Sequence, residues 1–140
     1  MKILLAVDGS AFTKRMLAYL AAHDEWLGDK HQYTVLNSVA PVPARAASVI
    51  DRETLKGYYA ETSEAVFKPI RAFFKKQGIE AEYVGKVGHA SDVIAKTADA
   101  GGYDLLVMGS HGHGTLGNLV MGSVATKVLS ACKTPVLLIR

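Results

Sequence analysis

The sequence predicts an α/β protein, a single domain over residues 1–140 built as an open sheet of five parallel strands with helices on both faces. Two continuous apolar runs, the part of 2–7 that follows its one lysine and 105–108, are typical of strands that are covered on both faces. Segments of strand type alternate along the chain with segments of helical period. Such alternation predicts a parallel sheet with right-handed crossovers.

The first part of the chain predicts two strands with a helix between them. The apolar run 2–7 is broken at Asp8-Gly9-Ser10, and Ser10 is a preferred N-cap residue for the helix that follows. We expect that helix to end at Gly28, because glycine is favoured just beyond a helix C-terminus. The β-branched and aromatic residues of 33–39 predict the second strand.

The middle of the chain predicts a loop, a long helix and a strand. Prolines and small residues in 41–48 predict a loop that is a candidate mobile flap. Apolar residues at helical spacing predict a helix over 50–77, and Pro69 is expected to kink or break it because proline lacks a backbone donor. Gly78 is expected just past the helix end. The alternation in 79–87 predicts a third strand near a sheet edge.

The last part of the chain predicts two helices and two strands. A short helix leads from about 90 to the glycine pair 101–102, and the buried strand 105–108 follows. The final helix is expected over 123–132 and the closing strand over 136–139.

A glycine-rich segment joins the fourth strand to the last helix. A strand, a glycine-rich loop and a helix start together form an anion site, because glycines let backbone N–H groups approach a phosphate and the helix start adds unpaired donors. The segment lacks the Gly-Lys-Ser/Thr ending of a P-loop. Taken alone, it also fits a connection that merely contains turn glycines.

Composition excludes several classes of protein. The net charge of +3 comes without an arginine-rich tract, so we expect no nucleic-acid partner. No apolar run approaches 18 residues and the N-terminal run is too short for a signal peptide, so we expect a cytoplasmic protein without a membrane segment. Cys132 is the single cysteine, and we expect it to be a small buried residue rather than a nucleophile. His111 and His113 lack carboxylates at ligand spacing, so we expect no zinc site.

Four stretches of the sequence resemble the universal stress protein family. They are Ala6-Val7-Asp8-Gly9-Ser10, Gly88-His89-Ala90, the run from Asp104 to Gly112, and Pro135-Val136-Leu137-Leu138-Ile139. The resemblance covers the whole chain in order. It implies a Rossmann-like fold with the strand order 3-2-1-4-5.

The family divides into members that bind ATP and members that do not. The ATP-binding members carry Gly, two residues, Gly, nine residues, and then Gly-Ser or Gly-Thr. Here Gly109, Gly112 and Gly122-Ser123 match all of these positions. The resemblance therefore implies that the chain binds ATP or AMP, with Mg²⁺ as a candidate companion of the phosphates.

The resemblance and the chemistry of the side chains together imply a nucleotide site of eleven residues. They are Ala6, Val7, Asp8, Val39, Met108, Gly109, His111, Gly112, Gly122, Ser123 and Val124. The apolar members form walls, and Gly109 and Gly112 let the loop fold over the ligand. Backbone N–H groups of 122–124 would bind the phosphates, with the Ser123 hydroxyl adding one bond.

Three of these residues carry alternatives. The Asp8 carboxylate suits a ribose hydroxyl or a Mg²⁺ ion held by the phosphates, or else it caps a turn. The backbone of Val39 matches the position that pairs with the adenine edge in the family, or else Val39 is an ordinary strand residue. His111 contacts the nucleotide or is simply exposed to solvent.

The main functional hypothesis is a regulatory stress-response protein that holds an adenine nucleotide and hydrolyses it slowly or not at all, since no residue resembles a dedicated base. The alternatives are a Mg²⁺-dependent ATPase or nucleotidyl-transfer enzyme of the same architecture, and a partner-binding module with an empty site. Family members commonly form homodimers through the last strand, and 136–139 would be an exposed apolar edge in a monomer.

Overall fold

The computed structural model of the chain describes residues 1–114 and 120–140. The first two strands follow the predicted order, with a helix between them and two helices after them. In chain order the elements are β1 Lys2–Ala6, α1 Ala11–Ala22, β2 Gln32–Val39, α2 Ala44–Ala47, α3 Arg52–Lys76, β3 Ala81–Val87, α4 Ala90–Ala100, β4 Leu105–Gly109, α5 Ser123–Ala131 and β5 Val136–Ile139.

The five strands form one parallel sheet in the order β3-β2-β1-β4-β5. The central strand β1 places Ile3 opposite Tyr33 of β2 on one side and opposite Leu105 of β4 on the other. The predicted fold class and strand order are confirmed. Because β1 and β4 are neighbours, their carboxyl ends lie side by side where the strand order reverses, which is where such sheets bind ligands.

Alternating residues of the strands feed two separate hydrophobic cores. On β1, Ile3 and Leu5 point to the face covered by α1 and α3, whereas Leu4 and Ala6 point to the face covered by α4 and α5. This two-residue alternation follows from the geometry of a β-strand. The sheet is therefore covered by helices on both faces. On β1, the odd-numbered residues pack against α1 and α3, and the even-numbered residues pack against α4 and α5.

Helix α1 ends earlier than predicted, at Ala22 rather than before Gly28. The reason is local, because the His23 N–H donates to Leu20 O at 3.3 Å and His23 Nδ1 lies 2.7 Å from Tyr19 O. The residues that follow are held by Tyr33, whose hydroxyl donates to Trp26 O and accepts from Gly28 N–H. Burial of this hydroxyl raises the pKa of Tyr33.

The sequence predicts a loop over all of 41–48, but part of this segment is helical. Residues 44–47 form the short helix α2, which begins after Pro43. The segment is also attached to α3, because Val42 N–H donates to the Tyr59 hydroxyl at 2.9 Å.

Helix α3 runs without a break through Pro69, so of the two expected outcomes the break is excluded, and the kink stays a prediction. A proline inside a helix costs about 3 kcal/mol. Beyond it, Ile70 and Phe74 are each 1% exposed, and full burial of such side chains contributes roughly 1.5–3 kcal/mol each. That burial offsets the proline. Gly78 follows the C-cap with φ of +70°, as predicted.

The turn into β5 is organised by Asp99 at the end of α4. Its carboxylate accepts hydrogen bonds from the Thr134 hydroxyl and from the backbone N–H groups of Lys133 and Thr134. These bonds, the Thr134 hydroxyl foremost, hold the pKa of Asp99 below its ordinary value. Cys132 lies partly buried beside this turn, and burial raises the pKa of its thiol, which argues against a nucleophilic role.

Residues 1–114 and 120–140 contain no helix that combines the length and the apolar character needed to cross a membrane.

Candidate functional site

A cavity of about 280 Å³ lies at the carboxyl ends of β1 and β4, against the start of α5. All of the predicted site residues except Val39 line it. The lining residues are Ala6, Val7, Asp8, Phe12, Thr13, Leu36, Ser38, Ala90, Ile94, Met108, Gly109, His111, Gly112, His113, Gly122, Ser123, Val124 and Ala125. The structure therefore brings together residues that are more than 100 positions apart in the chain.

One part of the cavity is apolar and was largely missed by the sequence prediction. Leu36 of β2 and Ile94 of α4 line it beside the predicted Ala6 and Met108. All four belong to the core between the sheet and α4 and α5. Two features of the sequence could have identified these residues. Leu36 lies on the same face of the sheet as Ala6 and Met108, and Ile94 lies on the apolar face of α4. An apolar recess of this kind suits a flat ring such as a nucleobase.

The Asp8 side chain closes the turn between β1 and α1. Its Oδ1 accepts from Ser10 N–H at 2.9 Å and from the Thr13 hydroxyl at 3.0 Å. The Thr13 hydroxyl in turn accepts from Asp8 N–H at 3.1 Å. Asp8 thus caps a turn, which was one of the two alternatives. Both of these bonds end on Oδ1, whereas Oδ2 faces Gly112.

Two glycines of the predicted motif lie in close contact with neighbouring side chains. A Cβ atom at Gly109 would lie 2.6 Å from Phe12 Cβ, and one at Gly112 would lie 2.6 Å from Asp8 Oδ2. Such distances are shorter than any real Cβ contact. The first glycine lets α1 pack against the end of β4. The second lets the segment after β4 approach the turn that follows β1.

The start of α5 presents unpaired backbone donors to the cavity, but Gly122 is not among them. Gly122 N–H donates to Ser110 O at 2.8 Å, so this N–H group is already paired within the chain, and its predicted role in phosphate binding stays a prediction. The helical ladder begins when Thr126 N–H donates to Gly122 O at 3.1 Å. Within the described part of the chain, the N–H groups of Ser123, Val124 and Ala125 have no protein acceptor.

Two histidines lie at the rim of the cavity. His111 is half-buried, with its Nδ1 2.8 Å from the Ser110 hydroxyl and its ring 5.0 Å from that of Phe12. It is therefore not simply exposed, and a contact with a ligand stays a prediction. His113, to which the sequence assigned no role, has Nε2 2.8 Å from Asp8 O. Because a carbonyl only accepts, this nitrogen donates.

Val39 lies outside this cavity. Its side chain points to the α3 face, where it lines a different groove with Tyr59 and Tyr83. Its carbonyl accepts from Gly88 N–H at 2.9 Å. The side chain of Ser38, the neighbouring residue, points to the other face of the sheet, and Ser38 lines the cavity instead. The sequence located the correct strand end, and pairing of the Val39 backbone with an adenine edge stays a prediction.

The chemistry of the lining favours an anionic ligand with an apolar part. Donors at a helix N-terminus attract phosphate or carboxylate groups. Asp8 is the one carboxylate among the lining residues that the structure describes. Across residues 1–114 and 120–140, no group of three or more His, Cys, Asp or Glu residues could hold a metal ion.

An open parallel sheet of order 3-2-1-4-5 with a cavity at its switch point defines the class, a Rossmann-like α/β fold. The sequence profile of the universal stress protein family matches residues 1–140. The chain therefore belongs to the universal stress protein family, as the resemblance implied.

Two relatives illustrate the range of lengths in the family. A universal stress protein of Thermus aquaticus, from the QAH/OAS sulfhydrylase 3′ region, is 33% identical over 139 residues, which are 99% of this chain and 97% of the relative. Universal stress protein Slr1230 of Synechocystis is 31% identical over 139 residues, 99% of this chain but 42% of that relative. This chain thus spans less than half the length of Slr1230.

Solved structures share the fold. The hypothetical protein MJ0577 of Methanocaldococcus jannaschii has a TM-score of 0.78 at 25% identity, covering 99% of this chain and 94% of its own. Arabidopsis thaliana At3g01520, with AMP bound, has a TM-score of 0.70 at 16% identity and coverages of 99% and 90%. The Archaeoglobus fulgidus universal stress protein, in complex with dAMP, has 0.69 at 23% and coverages of 100% and 98%.

Proposed function

We propose that this chain binds an adenine nucleotide, ATP or AMP, and acts as a regulatory stress-response protein that hydrolyses ATP slowly or not at all. The observation that carries the proposal is the set of three unpaired N–H groups at Ser123, Val124 and Ala125, which face the cavity beside the glycine motif. Phosphate oxygens would supply the missing acceptors. The partial positive charge of the helix start favours the same end of the nucleotide.

The two ends of the cavity suit the two ends of a nucleotide. The recess at Leu36 and Ile94 would take the base, and the start of α5 would take the phosphates. The Asp8 carboxylate lines the same cavity, at the turn after β1, and would accept from a ribose hydroxyl. The nucleotides held by the two related structures, AMP and dAMP, support an adenine ring as the base.

A Mg²⁺ ion would be held mainly by the phosphates of ATP. Asp8 is the one carboxylate in the lining, and its Oδ1 already accepts two hydrogen bonds. Mg²⁺ bound through one or two carboxylates and substrate phosphates is a common arrangement. The ion would neutralise phosphate charge. Catalysis of hydrolysis needs in addition a base that positions water; among the described lining residues only Asp8, His111 and His113 could serve, and Asp8 Oδ1 is already hydrogen-bonded.

Calorimetry with ATP and with AMP tests the binding proposal. We expect a saturable heat with one nucleotide per chain and a rise in Tm, because a ligand that binds only the folded state stabilises it. The same titrations with GTP serve as a control for base selectivity. No heat and no Tm shift at millimolar ATP would refute the proposal. A turnover on the order of 1 s⁻¹ with Mg²⁺ would instead support the ATPase alternative.

We also propose that the chain forms a homodimer through 136–139. Among the described strands β5 pairs only with β4, so its outer edge carries unpaired backbone groups. Its residues Val136, Leu137 and Leu138 are only partly buried in the single chain. An apolar edge of this kind is an aggregation hazard unless another strand covers it.

Light scattering coupled to size-exclusion chromatography tests the dimer. We expect twice the chain mass of 15.0 kDa, and a shift toward the chain mass when Leu138 is replaced by lysine. A charge on an edge strand discourages pairing with another strand. As a matched control, Leu129→Lys adds the same charge at an exposed position of α5. A monomeric wild type, or an equal effect of both variants, would contradict the assignment.

A further inference from the structure

A buried asparagine fills the gap where the tips of β1 and β2 separate. The paired register of the two strands ends at Ala6 and Leu36, and Val7 N–H still donates to Leu36 O at 2.9 Å. Beyond this point β1 turns toward α1 while β2 continues. Asn37 lies in the space between them and is 4% exposed. A buried amide is costly unless both of its ends are paired.

Both ends of the Asn37 amide are in fact paired. Its Nδ2 donates to Val7 O at 2.9 Å, and its Oδ1 accepts from the Ser63 hydroxyl of α3 at 3.0 Å. Ser63 is itself buried, at 6% exposure. Asn37 therefore links the first strand's tip to the helix that packs on the opposite side of the sheet from α5. Neither residue lines the nucleotide cavity.

The peptide group between Val7 and Asp8 is held at both of its polar ends. Its carbonyl oxygen accepts from Asn37, and its N–H donates to the Thr13 hydroxyl at 3.1 Å. Because a peptide group is planar, fixing these two ends fixes the plane from which the Asp8 side chain departs. The Thr13 hydroxyl also donates to Asp8 Oδ1. Rotation of this peptide would turn the carboxylate away from the cavity.

We propose that Asn37 is a positioning residue for the nucleotide site, which aims the Asp8 carboxylate at the ribose hydroxyls. The inference rests on the proposed binding of an adenine nucleotide. Asn37 acts through Asp8 and does not touch the ligand. Ser63 pairs the other end of the amide, its Oδ1, on the α3 side.

Affinities for ATP and for 2′,3′-dideoxy-ATP, measured by calorimetry, test the proposal. The dideoxy compound lacks the hydroxyls to which Asp8 would bind. We expect Asn37→Leu, which keeps the branched shape but removes the donor to Val7 O, to lower ATP affinity about tenfold, because a misaimed Asp8 loses its charged hydrogen bond to the ribose. Affinity for the dideoxy compound should fall much less. Should Asn37→Leu fail to fold, Asn37→Ser removes the same donor with less apolar mismatch.

A double-mutant cycle separates positioning from a general structural effect. In an Asp8→Ala background, adding Asn37→Leu should leave ATP affinity within about twofold of that of the Asp8→Ala variant, because the carboxylate through which Asn37 acts is absent. Ser63→Ala is the matched control, since it breaks the bond to α3 but leaves the bond from Asn37 to Val7 O, and we expect affinity within about twofold of wild type.

The possible failures are distinguishable. Equal losses for ATP and dideoxy-ATP, or an undiminished loss in the Asp8→Ala background, would overturn the positioning role while leaving nucleotide binding intact. A wild-type chain that binds no adenine nucleotide would refute the proposed function and this inference together.

Discussion

Replacing Ser123 with proline is expected to lower ATP affinity by about ten- to hundredfold, the effect of losing a hydrogen bond to a charged group. Ser123 is the first residue of α5, and its N–H is one of the three donors proposed for the phosphates. Proline is well tolerated at the first helical position, because its φ angle suits the helix and its missing N–H has no partner within the helix. Isothermal titration calorimetry measures the loss.

The fold should survive this substitution. Gly122, which precedes the new proline, has φ of −74° and ψ of 165°, a conformation that a residue before proline adopts readily. Gly122 N–H keeps its bond to Ser110 O. We therefore expect circular dichroism and Tm close to those of the wild type, so that lost affinity reports the missing donor.

Two controls separate the backbone donor from other effects. Ser123→Ala removes the hydroxyl but keeps the N–H, and we expect a smaller loss of affinity. Arg52→Pro makes the same backbone change at the first position of α3, outside the cavity lining, and we expect no loss. If Ser123→Pro binds ATP as well as wild type does, the phosphates do not bind at the start of α5.

Replacing Phe74 with alanine is expected to lower the free energy of unfolding by about 3–5 kcal/mol, the usual cost of deleting a fully buried phenylalanine. Phe74 is 1% exposed and lies 5.4 Å from the ring of Tyr33. It anchors the turns of α3 that follow Pro69, where one helical donor is already missing. Urea unfolding followed by circular dichroism measures the change.

The neighbouring Phe73 provides the matched control for this loss. It lies in the same turn of α3 but is only partly buried against the same core. Phe73→Ala removes the same atoms, and we expect it to cost less than half as much. Equal costs for the two variants would mean that the end of α3 is not held by Phe74 in particular.

The architecture was predictable because its signals are local. Continuous apolar runs at 2–7 and 105–108 mark strands buried on both faces, and the alternation of strands and helices predicts a parallel sheet. Ser10 and Gly78 act at helix ends as their conformational preferences predict. The predicted part of the cavity lining came chiefly from the resemblance to the universal stress protein family, together with the spacing of the glycines.

What the sequence could not supply depends on distances between segments far apart in the chain. Gly122 donates to Ser110, and this bond is set by how the chain returns after β4, which no spacing encodes. Which face Val39 points to depends on the exact register of β2. The early end of α1 and the unbroken α3 were missed because hydrogen bonds from His23 and the burial of Phe74 overrode the local preferences.

The bond between Gly122 and Ser110 also ties the end of the sheet to the last helix. Gly122 N–H donates to Ser110 O at 2.8 Å, and Ser110 N–H donates to Ile139 O at 2.8 Å. The peptide groups on either side of Ser110, a residue that is only 2% exposed, therefore connect the edge strand β5 to the first turn of α5 through two hydrogen bonds. A dimer formed through β5 would thus be built directly beside the base of the helix that borders the cavity.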